Sequence, residues 1–193
     1  MKRMVVLCEF SGVVRRAFAA KGYDAWSCDL LPSDDGSPNH IQGDALEILN
    51  QGWDLAICHP PCTVMANSGA RWLYKDGVRN EARWEELTKA TDFFNALWNA
   101  PIEKIAVENP IMHKHARALI AAPYTQIIQP WQFGHGETKA TCLWLKGLPA
   151  LTPTEIVEGR EARVHRLPPS ADRWKLRSIT YEGIAKGMAA QWG

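Results

Sequence analysis

The sequence predicts an α/β domain with a mostly parallel sheet, helices on both faces and an antiparallel hairpin near the C-terminal end. Short β-rich apolar runs alternate with helical patterns over most of the chain, which is typical of β-α-β units. Two late β-rich segments, YTQIIQPWQF and TCLWLKG, flank a turn-like GHGETKA and indicate the hairpin. With 193 residues, of which 46% are hydrophobic, the chain is expected to form a single domain over residues 1–193.

Each predicted element follows from a local pattern of apolar and turn-forming residues. The predicted strands before the hairpin are MVVLCEF, YDAWSCDL, WDLAICHP and IEKIAVENP. The predicted helices are VVRRAFAAKG, the short GDALEIL, a long helix from about Glu81 to Trp98, IMHKHARALIAA, and SITYEGIAKGMAAQW with Ser178 or Thr180 near its start. The stretch TVMANSGARWLYKDG is predicted to be irregular.

Charge and cysteine content limit the possible environments and partners. The formal net charge is only +1, yet residues 160–177 contain six Lys and Arg against two acidic residues. This excess fits either a polyanionic partner or a solvated loop. The N-terminus lacks a signal-peptide pattern, and no apolar run approaches the roughly 20 residues that span a bilayer. Five cysteines at irregular spacing are then expected to be thiols in a reducing, cytoplasmic setting.

Polar and reactive residues follow the predicted strands where ligands bind α/β sheets, at the carboxyl edge. The Pro60-Pro61 pair must end the third strand, so Cys62 is presented from a stiff loop. A thiol and the carboxyl group of Glu108, after the fourth strand, suit nucleophilic addition to an electron-poor ring with protonation of a ring nitrogen. Asp29 ends the second strand, where ribose hydroxyls bind, and Asp44 could accept a hydrogen bond from an adenine amino group.

In their order along the chain, these residues resemble the motifs of the DNA cytosine-5 methyltransferases, most closely the short phage and prophage type. The resemblance covers nearly the whole chain. The matching segments are LCEFSGVVRRAF (the S-adenosyl-L-methionine loop), CDLLPSD, GDALEI, DLAICHPPCTVMANSG (the Pro-Cys nucleophile), AVENP (the Glu-Asn pair) and TYEGIAKGMAAQW.

The resemblance implies a Rossmann-like S-adenosyl-L-methionine-dependent methyltransferase fold and a residue-by-residue mechanism. Cys62 would add to C6 of cytosine, Glu108 would engage N3 and the exocyclic amine, and C5 would receive the methyl group. Asn109, the second member of the Glu-Asn pair, is the remaining residue implied to be catalytic. The residues implied for cofactor binding are Glu9, Phe10, Ser11, Gly12, Asp29, Leu30, Asp44 and Pro60. The residues expected to contact DNA, whether duplex or single strand, are Arg71, Trp72 and Lys139, and, from the local charge, Arg163, Arg166 and Arg173.

Several positions depart from the family pattern. Val13-Val14 stand where the cofactor loop normally has another glycine, Thr63 replaces the usual glutamine after the nucleophile, and only ETKAT corresponds to the arginine-bearing motif. Fewer than 50 residues separate the Glu-Asn pair from the end of TCLWLKG, where full-length members insert a target-recognition domain. The sequence therefore predicts low sequence specificity, or recognition supplied by a protein partner or a second copy.

Other interpretations remain open from the residues alone. The same thiol chemistry could modify a free pyrimidine nucleotide or transfer a group other than methyl, and a catalytically silent DNA- or cofactor-binding accessory protein is a third possibility. A zinc cluster of Cys58, His59 and Cys62 with His113 and His115 is disfavoured, because structural sites favour paired Cys-x-x-Cys knuckles. Cys8, Cys28 and Cys142 are expected in the core, Asp29 competes as a turn former, and Asp44 competes as a helix N-cap.

Overall fold

The computed structural model describes residues 1–193 and contains a large sheet of seven strands. These strands are β1 (Arg3–Leu7), β2 (Asp24–Asp29), β3 (His40–Gln42), β4 (Leu55–Cys58), β7 (Lys104–Pro110), β8 (Gln126–Ile128) and β9 (Thr141–Lys146). Their order across the sheet is β3-β2-β1-β4-β7-β9-β8. Strands β1 to β4 and β7 are parallel, whereas β9 runs antiparallel to both β7 and β8. The predicted parallel sheet and late hairpin are therefore confirmed.

Two short pairings were not predicted. Strand β3 has only three residues and lies after a Pro- and Asp-rich loop, so no alternation marks it. Strands β5 (Tyr74–Lys75) and β6 (Val78–Arg79) form a small antiparallel hairpin that starts in the stretch predicted to be irregular and ends just after it. Asp76 and Gly77 close this hairpin with positive φ angles of 50° and 79°, as a tight two-residue turn requires.

The helices agree with the sequence pattern where the pattern is long. The helices are α1 (Val13–Ala19), α2 (Asn67–Ala70), α3 (Glu81–Trp98), α4 (Lys114–Arg117), α5 (Arg163–Arg166), α6 (Arg173–Ser178) and α7 (Glu182–Trp192), and Ala45–Ile48 forms a 3-10 turn. The segment IMHKHARALIAA is helical only over α4, so the longer helix predicted there is wrong. Tyr181 occupies the N-cap of α7 without a side-chain hydrogen bond, so neither Ser178 nor Thr180 begins that helix.

The sheet is buried on both faces. Along β1, Met4 and Val6 pack with α1 and α7, whereas Val5 and Leu7 pack with α3 on the other face. A strand covered on both sides has no polar surface along its length, so polar side chains concentrate where the strands end. None of the seven helices combines the length and apolar character needed to cross a membrane.

The cysteines are all free thiols, as predicted. Cys28, Cys58 and Cys142 are buried in the core, whereas Cys8 and Cys62 are partly exposed. Cys8 adopts a left-handed φ of 60° directly after β1, so the backbone turns sharply into the segment that holds Glu9.

Candidate active site

The loop after β4 presents Cys62 at the carboxyl edge of the sheet. The His59 N–H donates to the Leu7 carbonyl (2.9 Å), so the loop begins in register with β1. The Pro60-Pro61 pair then ends the strand, because proline has no N–H to donate. The Cys62 carbonyl accepts the N–H of Met65 (3.0 Å), and the chain turns immediately after the cysteine. The structure has the turn that the two prolines predict.

Asn109 fastens this loop to the neighbouring strand. It lies near the end of β7, is 2% exposed, and donates from Nδ2 to the Pro60 carbonyl (2.9 Å). Its Oδ1 atom is buried and has no hydrogen-bond partner. The Asn109 amide thus fixes the loop that carries Cys62, and its remaining acceptor is free.

His113 makes a second attachment farther along the same loop. Its Nε2 donates to the Val64 carbonyl (2.8 Å), and its Nδ1 accepts the Ala116 N–H at the start of α4 (3.1 Å). Burial lowers the pKa of His113 and outweighs the opposite effect of its bond to Val64, so the ring is neutral. Both ring nitrogens are occupied by backbone groups, and no group of three or more side chains is placed to hold a metal ion.

His59 and Glu108 form a buried pair beside the cysteine. Nδ1 of His59 lies 3.2 Å from Oε2 of Glu108, and the two side chains are 12% and 13% exposed. Burial alone would raise the pKa of Glu108, but the contact with His59 and the charges of His59 and Lys139 lower it below its usual value. Glu108 is therefore a carboxylate at neutral pH.

Cations oppose the effect of burial on the Cys62 thiol. Burial raises the pKa of Cys62, the positive charges of Lys139 and Arg177 act against this rise, and the net result is a raised pKa. The thiol is protonated at neutral pH, and Lys139 is the cation that most favours the thiolate. Lys139 is half-buried in the segment between β8 and β9, where its backbone N–H donates to Gln129 Oε1 (3.0 Å).

Glu9 secures the loop between β1 and α1. Its carboxylate accepts the N–H groups of Val14 (2.7 Å) and Arg15 (3.3 Å), and the side chain is buried. Burial raises the pKa of Glu9, and the charge of His59 with the two N–H donors only partly offsets the rise. Gly12 has a φ of 67°, which a residue with a side chain rarely adopts. The structure places Glu9 as a support of the loop that the resemblance assigns to the cofactor.

Aromatic and basic side chains from α6 lie against Phe10. The Trp174 ring meets the Phe10 ring edge-on, with centroids 6.2 Å apart, and Lys175 Nζ lies 5.0 Å from the Phe10 centroid. Lys175 also pairs with Asp34 (2.7 Å), whose backbone N–H donates to the Phe10 carbonyl. The C-terminal basic segment thus packs on the predicted cofactor loop, which sequence reasoning missed.

A second unpredicted cluster lies next to Gly12. Asp35 pairs with the guanidinium groups of Arg15 (2.5 Å) and Arg16 (2.6 Å). Burial alone would raise the pKa of Asp35, but the hydrogen bonds from Ser33 and Arg16 and the charge of Arg15 hold it well below its usual range. These side chains fill the space beside Gly12, in the loop where the family pattern has a further glycine.

The remaining predicted cofactor residues lie along the same edge of the sheet. Asp29 is partly exposed, and its Oδ1 accepts the Leu31 N–H (2.9 Å), while Leu30 is exposed. Asp44 is exposed and caps the 3-10 turn by accepting the Leu46 N–H (2.9 Å). Asp29 therefore forms a turn and Asp44 caps a helical turn, which are the alternative roles considered for them in the sequence. In each case only one carboxylate oxygen accepts that backbone hydrogen bond.

The predicted DNA-contacting residues fall into two regions. Arg71 and Trp72 follow α2 on the chain that leaves Cys62, both are exposed, and the guanidinium lies 4.6 Å from the indole centroid. In the basic segment, Arg166 is exposed on α5 without an ion pair. Arg163 contacts Glu137 (3.6 Å) and Glu161 (3.3 Å), and Arg173 at the start of α6 donates to the His165 carbonyl (3.3 Å).

No family model and no curated protein matches this sequence. Solved structures similar to the chain include one described as a DNA modification methyltransferase encoded within a prophage of E. coli, with a TM-score of 0.52 and 16% identity, covering 82% of this chain and 52% of that one. Another is the S. pombe Dnmt2 methyltransferase, with a TM-score of 0.44 and 16% identity, covering 78% of this chain and 50% of that one. The Entamoeba histolytica methyltransferase EhMeth has a TM-score of 0.49 and 12% identity, covering 89% of this chain and 61% of that one.

The similarity to the prophage protein confirms the predicted α/β fold with a mostly parallel sheet. This chain spans about half the length of that structure.

Proposed function

We propose that this chain is an S-adenosyl-L-methionine-dependent DNA (cytosine-5-)-methyltransferase. One observation carries the proposal: the Cys62 loop is hydrogen-bonded to β7, the strand that bears Glu108, so a thiol and a carboxyl group share one rim of the sheet. The charge of Glu108 acts on the Cys62 thiol, and the charge of Lys139 acts on both groups. Thiolate addition to a cytosine ring with protonation of its N3 needs these groups.

The side chains have separate tasks in this reaction. Lys139 stabilises the Cys62 thiolate, whose sulfur forms a bond to C6 of the base. Glu108 exchanges a proton with N3, so that the electron pair released from the C5–C6 double bond is accommodated in the ring and C5 becomes nucleophilic. A duplex substrate must first release the base from its stack, at a cost of a few kcal/mol.

The residues around Gly12 suit the proposed cofactor. S-adenosyl-L-methionine, when bound, supplies the methyl group. Asp29 has a carboxylate oxygen left for ribose hydroxyls, and the Ser11-Gly12 backbone is fixed by the buried Glu9 carboxylate. Arg15 and Asp35 stand beside Gly12, and Val13-Val14 replace the family's further glycine, so contacts to the amino-acid end of the cofactor would involve side chains here.

Trapping with a blocked base tests the nucleophile, the donor and the acceptor together. Fluorine at C5 prevents loss of the C5 substituent as a proton, so DNA containing 5-fluorocytosine should leave the protein covalently attached. We expect wild-type protein, incubated with tritiated S-adenosyl-L-methionine and this DNA, to give a labelled adduct that survives denaturation. Cys62→Ala should give none, and Cys142→Ala, the same change at a buried core thiol, should give the wild-type adduct.

Different outcomes separate the alternatives. An adduct with 5-fluorocytosine nucleotide but not with DNA would identify a nucleotide-modifying enzyme. Binding of the cofactor or of DNA with no adduct on any acceptor would contradict the proposed activity and favour a silent binding protein.

DNA binding by the basic segment should show in the salt dependence of affinity. Arg166 is exposed and unpaired, so we expect Arg166→Ala to reduce the slope of log Kd against log salt concentration by about 0.9 on duplex DNA or about 0.7 on a single strand. Arg163→Ala should have a smaller effect, because Glu137 and Glu161 already neutralise it. Lys89→Ala, on the exposed side of α3, is the control, and an unchanged slope for Arg166→Ala would exclude a phosphate contact.

Target choice follows from the same proposal. Fewer than 50 residues separate Asn109 from the end of β9, so no recognition domain is inserted there. We infer relaxed sequence preference, or a protein partner or second copy that contributes recognition.

A further inference from the structure

His59 is a largely buried histidine, 12% exposed, that lies beside the proposed acid and has no role in the predicted mechanism. Its backbone is fixed to Leu7, and its Nδ1 lies 3.2 Å from Glu108 Oε2. The opposite ring nitrogen, Nε2, is buried without a hydrogen-bond partner, and Glu108 Oε2 likewise has no aligned hydrogen bond. Two polar atoms in a buried position without full partners are costly for stability, which points to a functional reason for the pair.

Charged groups from three elements surround the imidazole ring. Burial would lower the pKa of His59, but the contact with Glu108, its negative charge and the charge of Glu9 raise it above its usual value. Lys139 acts in the opposite direction. The contact with Glu108 therefore favours the imidazolium form of His59, beside a Glu108 carboxylate that carries no proton of its own.

This protonation state creates a requirement for the proposed reaction. When sulfur bonds to C6, the electron pair of the C5–C6 double bond moves through the ring and N3 must gain a proton. Glu108 as a carboxylate can contact the base but cannot give a proton until it receives one. Nδ1 of His59 lies 3.2 Å from Glu108 Oε2 and is within reach to supply that proton.

We propose that His59 is a positioning residue that holds Glu108 and hands it the proton that Glu108 delivers to N3. This inference rests on the proposed function. Cys62 first loses its S–H proton to water. In the addition step the thiolate sulfur bonds to C6, the Nδ1–H bond of His59 breaks, a proton passes through Glu108 to form N3–H, and the imidazolium becomes neutral imidazole. After methyl transfer the C5 proton is lost to water, the sulfur–C6 bond breaks to release the thiolate, and the N3 proton returns through Glu108 to His59.

The pH dependence of a matched variant tests this role. An asparagine side chain in place of His59 would keep a neutral donor near the position of Nδ1 but could not carry the extra proton. We would therefore measure single-turnover transfer from tritiated S-adenosyl-L-methionine to cytosine DNA by wild type and His59→Asn between about pH 6 and pH 9.5. Both proteins need the same Cys62 ionisation, so it cancels in the ratio of their rates. The result is the wild-type rate divided by the variant rate. In the variant Glu108 must take its proton from solution, so we expect this ratio to rise by up to tenfold per pH unit below the pKa of His59 and to become constant above it. His59→Gln is a second neutral variant for the same comparison.

A structural role for His59 would give a different result. If His59 only packs beside Glu108, the ratio of rates will be the same at every pH, and the inference is then overturned while the proposed function stands. No transfer by wild-type protein on any cytosine substrate would instead contradict the proposed function.

Imidazole titration by nuclear magnetic resonance checks the pair without any activity. We expect Glu108→Gln to lower the pKa of His59 relative to wild type, because the neighbouring negative charge is lost. An unchanged His59 titration in this variant would refute the pair whatever the enzyme's activity.

Discussion

Glu108→Gln is expected to slow methyl transfer to cytosine by about 10²- to 10⁴-fold, the usual contribution of general acid–base catalysis. Glutamine has nearly the shape of glutamate but cannot pass a proton to N3. It also removes the negative charge that raises the pKa of His59, so two parts of the site change together. Single-turnover transfer from tritiated S-adenosyl-L-methionine measures the rate, and calorimetry should show cofactor affinity close to that of wild type.

Glu85→Gln provides the matched control for this change. Glu85 lies on the exposed side of α3 and pairs only with Lys89, so its replacement should leave the transfer rate unaltered. If Glu108→Gln transferred methyl groups as fast as the control, Glu108 would not be the acid of this reaction.

Gly69→Ala is expected to destabilise the protein by about 2–3 kcal/mol and to abolish most of the transfer activity. In an exposed helix the change from glycine to alanine usually stabilises a protein by up to about 1 kcal/mol. A loss of stability in Gly69→Ala would therefore by itself indicate a steric clash at this position. An added Cβ at Gly69 would lie 2.5 Å from the Thr63 carbonyl oxygen and 2.9 Å from that of Val64. Both are backbone atoms of the Cys62 loop, so relief of the clash must move the loop.

Urea denaturation would give the free energy of unfolding, and trapping on 5-fluorocytosine DNA would report whether Cys62 still reaches the base. Gly43→Ala is the control, because its nearest neighbour is 4.0 Å away on a side chain and Gly43 has no positive φ. Equal stability of the two variants would show that the loop has room to adjust at Gly69.

The edge of the sheet was predictable because strand ends can be recognised from sequence. Each buried run stops at a polar or turn-forming group, and parallel strands bring their carboxyl ends together. This reasoning placed Glu9, the Pro-Pro-Cys loop and Glu108 on one rim, as the structure has them. The long helix α3 was equally clear, since its predicted and observed bounds coincide.

The side-chain partners were not predictable, because they depend on distances across the fold. His59 follows β4 directly, but in the sequence it was considered only as a possible metal ligand. Its contact with Glu108 joins the ends of two different strands, so it could not be read from the sequence. The contact of Trp174 with Phe10 joins distant parts of the chain in the same way. The hairpin at Asp76-Gly77 was missed for a different reason. Asp-Gly is a strong local turn signal, but the two flanking strands have only two residues each, which is too short for a recognisable strand pattern.

The hydrogen bond from Asn109 to the Pro60 carbonyl joins residues 49 positions apart in the chain. The spacing between Cys62 and Glu108 is therefore set by this cross-link and by the pairing of β4 with β7, rather than by the length of chain between them. Residues 74–79 lie within that intervening chain and form an exposed hairpin outside the large sheet. We therefore expect insertions at its Asp76-Gly77 turn to be tolerated better than insertions in β4 or β7, because they leave the cross-link and the strand pairing in place.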